Sequence, residues 1–290
     1  MTAFGSHRGS PFLVSIDEGG QPCTVTFPGT GRVTSVAGWE RTLVSVEVDG
    51  LPRFYEVSTP LDVPLQTELI EDTFTGTSAR VWLTCGDEDP GYVLMDPEGW
   101  VRAGDPYGED WSTSPRTLRA AASTTTLSVS MSETTIYVGG VLADADGEPG
   151  PSIWELGEDV GKNGVRRLAA HAVFDEISDI SDGWDPCVAG HRGGRPLLVT
   201  VEGDVLSSPS VELDPNSPTV LVATRRMNAD SDDNLKLVVQ AADGVQLWTM
   251  TTAGWQAQDL PGDVLHAARY DSESSTLWFV TDNRLWHLLT

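Results

Sequence analysis

Leu43-Val44-Ser45-Val46-Glu47-Val48-Asp49-Gly50, running on through Leu51-Pro52-Arg53 into Phe54-Tyr55-Glu56-Val57, decides the fold class. Its apolar residues alternate with small or polar ones on both sides of an Asp-Gly pair. Strands bury every second side chain, whereas helices repeat near every third or fourth residue. Asp-Gly between two alternating runs predicts a two-residue turn, so the stretch reads as a β-hairpin.

The same pattern recurs five more times. Arg80-Val81-Trp82-Leu83 leads through Gly86 to Gly91 into Tyr92-Val93-Leu94-Met95, and Thr135-Ile136-Tyr137-Val138 leads through a longer Gly/Asp/Pro loop into Ile153-Trp154-Glu155-Leu156. Pro196 to Val201 precedes Val205-Leu206, with Val211 and Leu213 beyond. Leu235 to Val239 precedes Val245 to Trp248, and Thr276 to Val280 precedes Arg284 to Leu288. Tyr55, Tyr92, Trp154, Trp248 and Trp286 place an aromatic in the second strand of every copy but the fourth. A unit recurring every forty-odd residues cannot bury its own faces and must stack on its neighbours.

Short runs rich in small residues precede most hairpins: Val33 to Ala37, Leu118 to Ala122, Pro186 to Gly190, Thr219 to Ala223 and Leu265 to Arg269. Small side chains suit strands that approach one another closely, so these runs are expected to be inner strands. Gln66 to Ile70 and Trp255 to Gln258 are expected to be outer ones. Four antiparallel strands per unit resemble the blade of the β-propeller superfamily, which implies one all-β domain over 1–290. Residues 31–290 would supply successive blades and 1–30, with Pro11 to Ile16 and Thr24 to Phe27, would close the last one. Six blades, the count favoured here, follow if the N-terminal strands only complete the last blade, and seven if they form one of their own. Ile136-Tyr137-Val138-Gly139-Gly140 with Trp154 downstream is similar to one kelch unit, but the glycine doublet does not recur. Trp184-Asp185 and Gly190-His191 match the WD-repeat dipeptides once and in the wrong order.

Composition narrows the function. The 39% apolar content and 10 Trp are enough for a core. Forty-three acidic residues against 18 basic ones leave a formal charge of -25, with Lys162 and Lys236 the sole lysines. Such a chain repels polyanions, which excludes nucleic acid and anionic headgroups as favourable ligands and leaves a solvated surface or a basic partner. Cys23, Cys85 and Cys187 are odd in number and widely spaced, so buried thiols are expected instead of disulfides or a thiolate metal site. Met1 to Gly9 lacks the apolar core of a signal peptide, and no apolar run has the ~18 residues of a membrane helix.

Candidate chemistry is sparse. Asp230-Ser231-Asp232-Asp233-Asn234, and Asp144-Ala145-Asp146-Gly147 with Glu155 at the twelfth position, are partial calcium-loop matches; both read more simply as turns. Asp175, Glu176, Asp179, Asp182 and Asp185 form an acidic stretch from which two carboxylates would be needed for glycoside hydrolysis; charged loop residues are the simpler reading. His7, His171, His191, His266 and His287 lack metal-ligand spacing, and neither a G-x-S-x-G elbow nor a P-loop is present. Trp100, Trp111 and Trp255 are expected in loops, facing a sugar or a protein, whereas Trp154, Trp248, Trp278 and Trp286 are expected to pack between blades. No catalytic, cofactor or metal residue is assigned.

The expected function is therefore a non-enzymatic structural or interaction module presenting loops on a rigid scaffold. An acidic, lysine-poor β-repeat chain resembles bacteriophage virion proteins. That resemblance implies a minor tail or tail-tip subunit, partners within the virion and location in the tail; outside such an assembly the chain is expected to be a soluble cytoplasmic protein. The alternative is a carbohydrate-binding or glycosidase-like propeller with a cell-surface glycan as ligand.

Overall fold

The computed structural model describes residues 2–16, 22–38, 42–58, 66–69, 80–85, 90–104, 118–121, 127–132, 135–144, 146–157, 160, 165–168, 174–181, 186–201, 203–223, 235–271, 276–282 and 284–289. Among them every regular element is a β-strand, and no helix is long and apolar enough to cross a membrane. The chain divides into two compact units, Met1–Ala122 with Glu133–Ile136 and Leu156–Val165, and Ser123–Ser132 with Tyr137–Glu155 and Arg166–Thr290.

In the first unit β1 (Thr2–His7), β2 (Ser10–Ile16) and β3 (Pro22–Thr26) form a three-stranded meander. Next come β4 (Gly31–Gly38), β5 (Thr42–Val48), β6 (Leu51–Ser58) and β7 (Gln66–Leu69), hydrogen-bonded in that order. Then β8 (Arg80–Cys85), β9 (Pro90–Met95), β10 (Trp100–Gly104) and β11 (Leu118–Ala120) pair in succession. The expected hairpin is β5/β6, closed by Val48 opposite Leu51 across Asp49-Gly50, whose φ angles of 52° and 80° are those of a two-residue hairpin turn.

The second unit contains β12 (Ser128–Ser132), nearly all of β13 (Thr135–Asp144) and β14 (Gly150–Leu156), and β15 (Val165–Arg167). Two four-stranded meanders follow: β16 (Glu176–Ile180), β17 (Cys187–Arg192), β18 (Arg195–Thr200) and β19 (Val205–Leu206), then β20 (Val220–Val222), β21 (Lys236–Ala241), β22 (Gly244–Thr251) and β23 (Gly254–Asp259). The last meander, β24 (Leu265–Asp271), β25 (Thr276–Thr281) and β26 (Arg284–Leu289), has three strands.

The N-terminal strands β1, β2 and β3 pair with one another, and a tight turn at Arg8-Gly9, with φ of 51° and 82°, folds β1 back onto β2. Local closure of so short a loop has little entropic cost compared with pairing across the chain. Leu118–Ala120 is a strand, as expected, and pairs with β10. Against expectation, Cys187–Arg192 is a second strand, because its turn at Gly193-Gly194, with φ of 57° and 72°, pairs it with β18. The first strand there is β16, inside the acidic stretch. The hairpin copies are accordingly out of phase: β8/β9 are first and second strands, and β18/β19 third and fourth.

Packing explains the two-sided apolar runs. On β21, Leu237 and Val239 join the cluster of Cys187, Ala189 and Leu198 from the preceding meander, whereas Val238 joins Leu277 and Phe279 from the following one. All six residues of β21 are buried, as in a strand sandwiched between two sheets. Within the first unit the same alternation sends Val44 and Val46 toward Leu13 and Phe27, and Leu43 toward Val81 and Leu83. The aromatics sit at these seams: Phe27 meets Tyr55 at 5.0 Å, Phe54 meets Tyr92 at 5.8 Å, and Phe279 stacks on Trp286 at 6.4 Å.

Hydrogen bonds fasten the seams at a repeated place. The first strands β4, β16 and β24 each carry a register shift, after Val33, Ile177 and Leu265. A bulge turns the next side chain out of the ladder. Ser35 Oγ, just past the first bulge, accepts from the Leu83 N–H at 2.8 Å, and Asp179 Oδ2, just past the second, accepts from the Val222 N–H at 2.8 Å. Gln240 makes a comparable joint from β21, accepting from the Leu265 N–H at 2.8 Å and donating to the Asp263 carbonyl at 2.9 Å.

Candidate functional site

Of the acidic stretch, Asp175, Glu176 and Asp179 are described; Asp182 and Asp185 lie outside the described residues. The structure separates these three by role. Asp179 Oδ1 accepts from the Ile180 N–H at 3.0 Å while Oδ2 takes the Val222 N–H, so both carboxylate oxygens hold backbone amides. A carboxylate so engaged is a joint between meanders and is poorly placed to exchange protons with a substrate.

Asp175 and Glu176 instead converge on His191. Glu176 is the cross-strand partner of His191, and the Asp175 N–H donates to the His191 carbonyl at 2.8 Å, which fixes both carboxylates beside the ring. Asp175 Oδ2 lies 4.0 Å from Nδ1 and Glu176 Oε2 3.6 Å from Nε2. Asp175 Oδ2 also accepts the Gly193 N–H at 2.6 Å. The imidazole is 12% exposed, and neither ring nitrogen has a hydrogen-bond partner, while the two carboxylates are largely solvent-exposed.

Because the ring nitrogens point apart, one metal ion on either nitrogen would meet a single carboxylate. Among the described residues no three His, Cys, Asp or Glu side chains are grouped to hold a metal. The arrangement suits recognition of a cationic group by Asp175 and Glu176, with the ring as a wall. Sequence spacing does not show His191 as their partner, since the pairing exists only once β16 is recognised as a strand.

The remaining candidates are occupied structurally or fall elsewhere. Glu155, the twelfth position of one partial calcium loop, is buried and paired with Arg166. Asp144 sits in an exposed turn whose carbonyl accepts the Gly147 N–H, and Asp230 to Asn234 lie outside the described residues. Trp100 and Trp255 are strand residues, not loop residues: Arg119 covers the Trp100 ring, and Trp255 packs on the Cys187 cluster with its Nε1–H donated to Ser207. Trp111 lies outside the described residues. Trp154 is buried beneath Arg167, and Trp248 and Trp286 pack on clusters between meanders, as expected of them. Cys187 is buried but Cys23 is exposed. Burial pushes the Tyr55 hydroxyl above its ordinary range, with Arg53 opposing in part.

No family model and no curated protein sequence matches the chain. Solved structures do. The Dos1 propeller is similar over 96% of this chain and 74% of its own, with a TM-score of 0.57 at 10% identity. AztD of Citrobacter koseri is similar over 99% of this chain and 78% of its own, with a TM-score of 0.54 at 10% identity. At such identity the likeness speaks for the fold, which is an all-β propeller of antiparallel sheets.

Proposed function

We propose that this β-propeller is a non-enzymatic interaction scaffold, a subunit of a larger protein assembly. One observation carries the reading: Asp179, the best-embedded of the three described carboxylates of the acidic stretch, grips two backbone amides and joins one meander to the next. Glu155 with Arg166, and Trp100 with Arg119, are likewise engaged in packing. What remains outward is an acidic surface on a chain of net charge -25, with Asp175 and Glu176 exposed together. That surface favours a basic protein partner and speeds its approach.

A bacteriophage tail is the assembly proposed, on the resemblance of composition and repeat pattern. The test is to isolate the native protein under mild conditions and identify by mass spectrometry what accompanies it in fixed stoichiometry. Tail proteins in constant ratio are expected. A lone protein that binds glycans on an array, or cleaves them, would establish the carbohydrate reading in its place.

A further inference from the structure

We propose that β23 is a docking edge, to which an extended basic segment of a partner protein adds as a further strand. It gives the partner a form on the interaction-scaffold reading above, on which it rests. Three sheets have four strands among the described residues, and their last strands differ in length: β7 has four residues, β19 two and β23 six. β23 pairs with β22 alone among the described strands, along its whole length and without a register shift. Edge strands are ordinarily kept from further pairing by brevity, lysine, proline or a bulge. β7 and β19 are short, whereas Gly254-Trp255-Gln256-Ala257-Gln258-Asp259 has none of these guards.

Its backbone polarity follows from the turn. Thr251 and Gly254 face each other across the two-residue connection Thr252-Ala253. The pair closing such a hairpin is hydrogen-bonded, and bonded pairs then alternate along the ladder. Gly254, Gln256 and Gln258 therefore turn their N–H and C=O toward β22, and Trp255, Ala257 and Asp259 turn theirs to the open edge. Leu260, next in the inward series, donates its N–H to the Val245 carbonyl at 2.8 Å, which fixes the phase. Gln256 to Asp259 are exposed. The outward groups recur at every second residue, the spacing at which an added strand bonds.

The side chains beside this edge select its occupant. Trp255 and Ala257 share one face and offer an apolar ledge to alternate residues of an incoming strand, while Gln256 and Gln258 line the other. Neither β22 nor β23 contains a lysine or arginine. Trp248 Nε1–H bonds Gln246 Oε1 at 3.1 Å, and Gln246 Nε2 bonds Asp243 Oδ1 at 3.3 Å and Asp259 Oδ1 at 3.2 Å. Two exposed carboxylates are thus held together at one end of the edge. A strand alternating apolar and basic side chains complements this arrangement. A second copy would bring the same carboxylates and its own charge of -25, so like charges oppose it.

The probe is an eight-residue peptide alternating lysine and valine, added to the full chain. One strand edge buries less than the ~800 Å² per partner of a standard interface, so a dissociation constant on the order of 100 μM is expected. Amide exchange followed residue by residue by NMR is expected to slow at Trp255, Ala257 and Asp259. Ala257→Pro deletes an outward N–H, a place where an edge strand accepts proline. It is expected to weaken peptide binding about tenfold or more while unfolding stays cooperative. Asp144→Ala, which removes an exposed carboxylate from another turn, leaves binding unchanged. Slowing at the three outward amides, with loss of affinity in Ala257→Pro, supports the docking edge. No binding at about 1 mM peptide, slowing only at other residues, or equal binding of the fully N-methylated peptide would each overturn it. Slowing at the same amides in the free protein as its concentration rises would overturn it too, by assigning the edge to a second copy. If a basic protein still accompanies the isolated chain, such failures remove the edge and leave the scaffold reading standing; a chain that isolates alone removes the scaffold reading itself.

Discussion

Replacing Asp179 with alanine tests whether side-chain joints hold the meanders together. The substitution removes two acceptors, one 2.8 Å from the Val222 N–H and one 3.0 Å from the Ile180 N–H. A hydrogen bond to a charged group is worth ~1.5–3 kcal/mol, and an abandoned buried donor has a cost of similar size. Val222 is buried, so its amide has little access to replacement water. The local bond to Ile180 is partly replaceable, which leaves a loss of about 3 kcal/mol for Asp179→Ala. For a chain of this length that corresponds to a fall in Tm of about 6 °C. Asp179→Asn keeps one neutral acceptor and should lose about 1 kcal/mol. Asp144→Ala, in an exposed turn, should stay within ~0.5 kcal/mol of the parent. Urea unfolding followed by tryptophan fluorescence orders the three. The joint is refuted if Asp179→Ala is as mild as Asp144→Ala, or if asparagine restores nothing.

Further outcomes follow from other contacts. A methyl at Gly139 would stand 2.9 Å from Ile177 Cγ2 and 3.1 Å from Ile180 Cδ1, so Gly139→Ala should lose ~1–3 kcal/mol and recover part of it with Ile177→Ala, as a double-mutant denaturation cycle would measure. His191→Leu exchanges two unbonded buried nitrogens for methyls and should leave stability at pH 8 unchanged or raised by up to about 1 kcal/mol; a loss above that size would mean that the ring is engaged by Asp175 and Glu176. Tyr55 ionises in the unfolded chain at its ordinary pH but later in the fold, so the folded state holds the extra proton between those two values. Stability should fall as pH rises above ~10, and Tyr55→Phe should shift alkaline unfolding to higher pH, monitored by circular dichroism.

The strands that alternate cleanly were legible, and so was the Asp-Gly turn between β5 and β6. β16 was not. Its bulge puts Ile177 and Ile180 three residues apart, both buried, so the two-residue period disappears and Glu176-Ile177-Ser178-Asp179-Ile180 reads as a charged loop. Missing that strand shifted the phase of the next hairpin and hid the pairing of Glu176 with His191. β1 was missed because Thr2–His7 has few large apolar residues and depends on the Arg8-Gly9 turn. The tryptophans in β10 and β23 were misplaced for a related reason: a neighbouring glycine or serine marks a loop as readily as it marks a strand end.

The joints beside the bulges have a consequence for descent. In each, one partner is a particular side chain, Ser35 or Asp179, and the other is a main-chain amide that any residue but proline supplies. Inheritance therefore has to preserve only half of every fastening, while Leu83 and Val222 are free to drift among residues that fill the same space. A fold can be kept under such terms while the sequence changes, and the likeness at 10% identity across 96% of the chain is a likeness of fold.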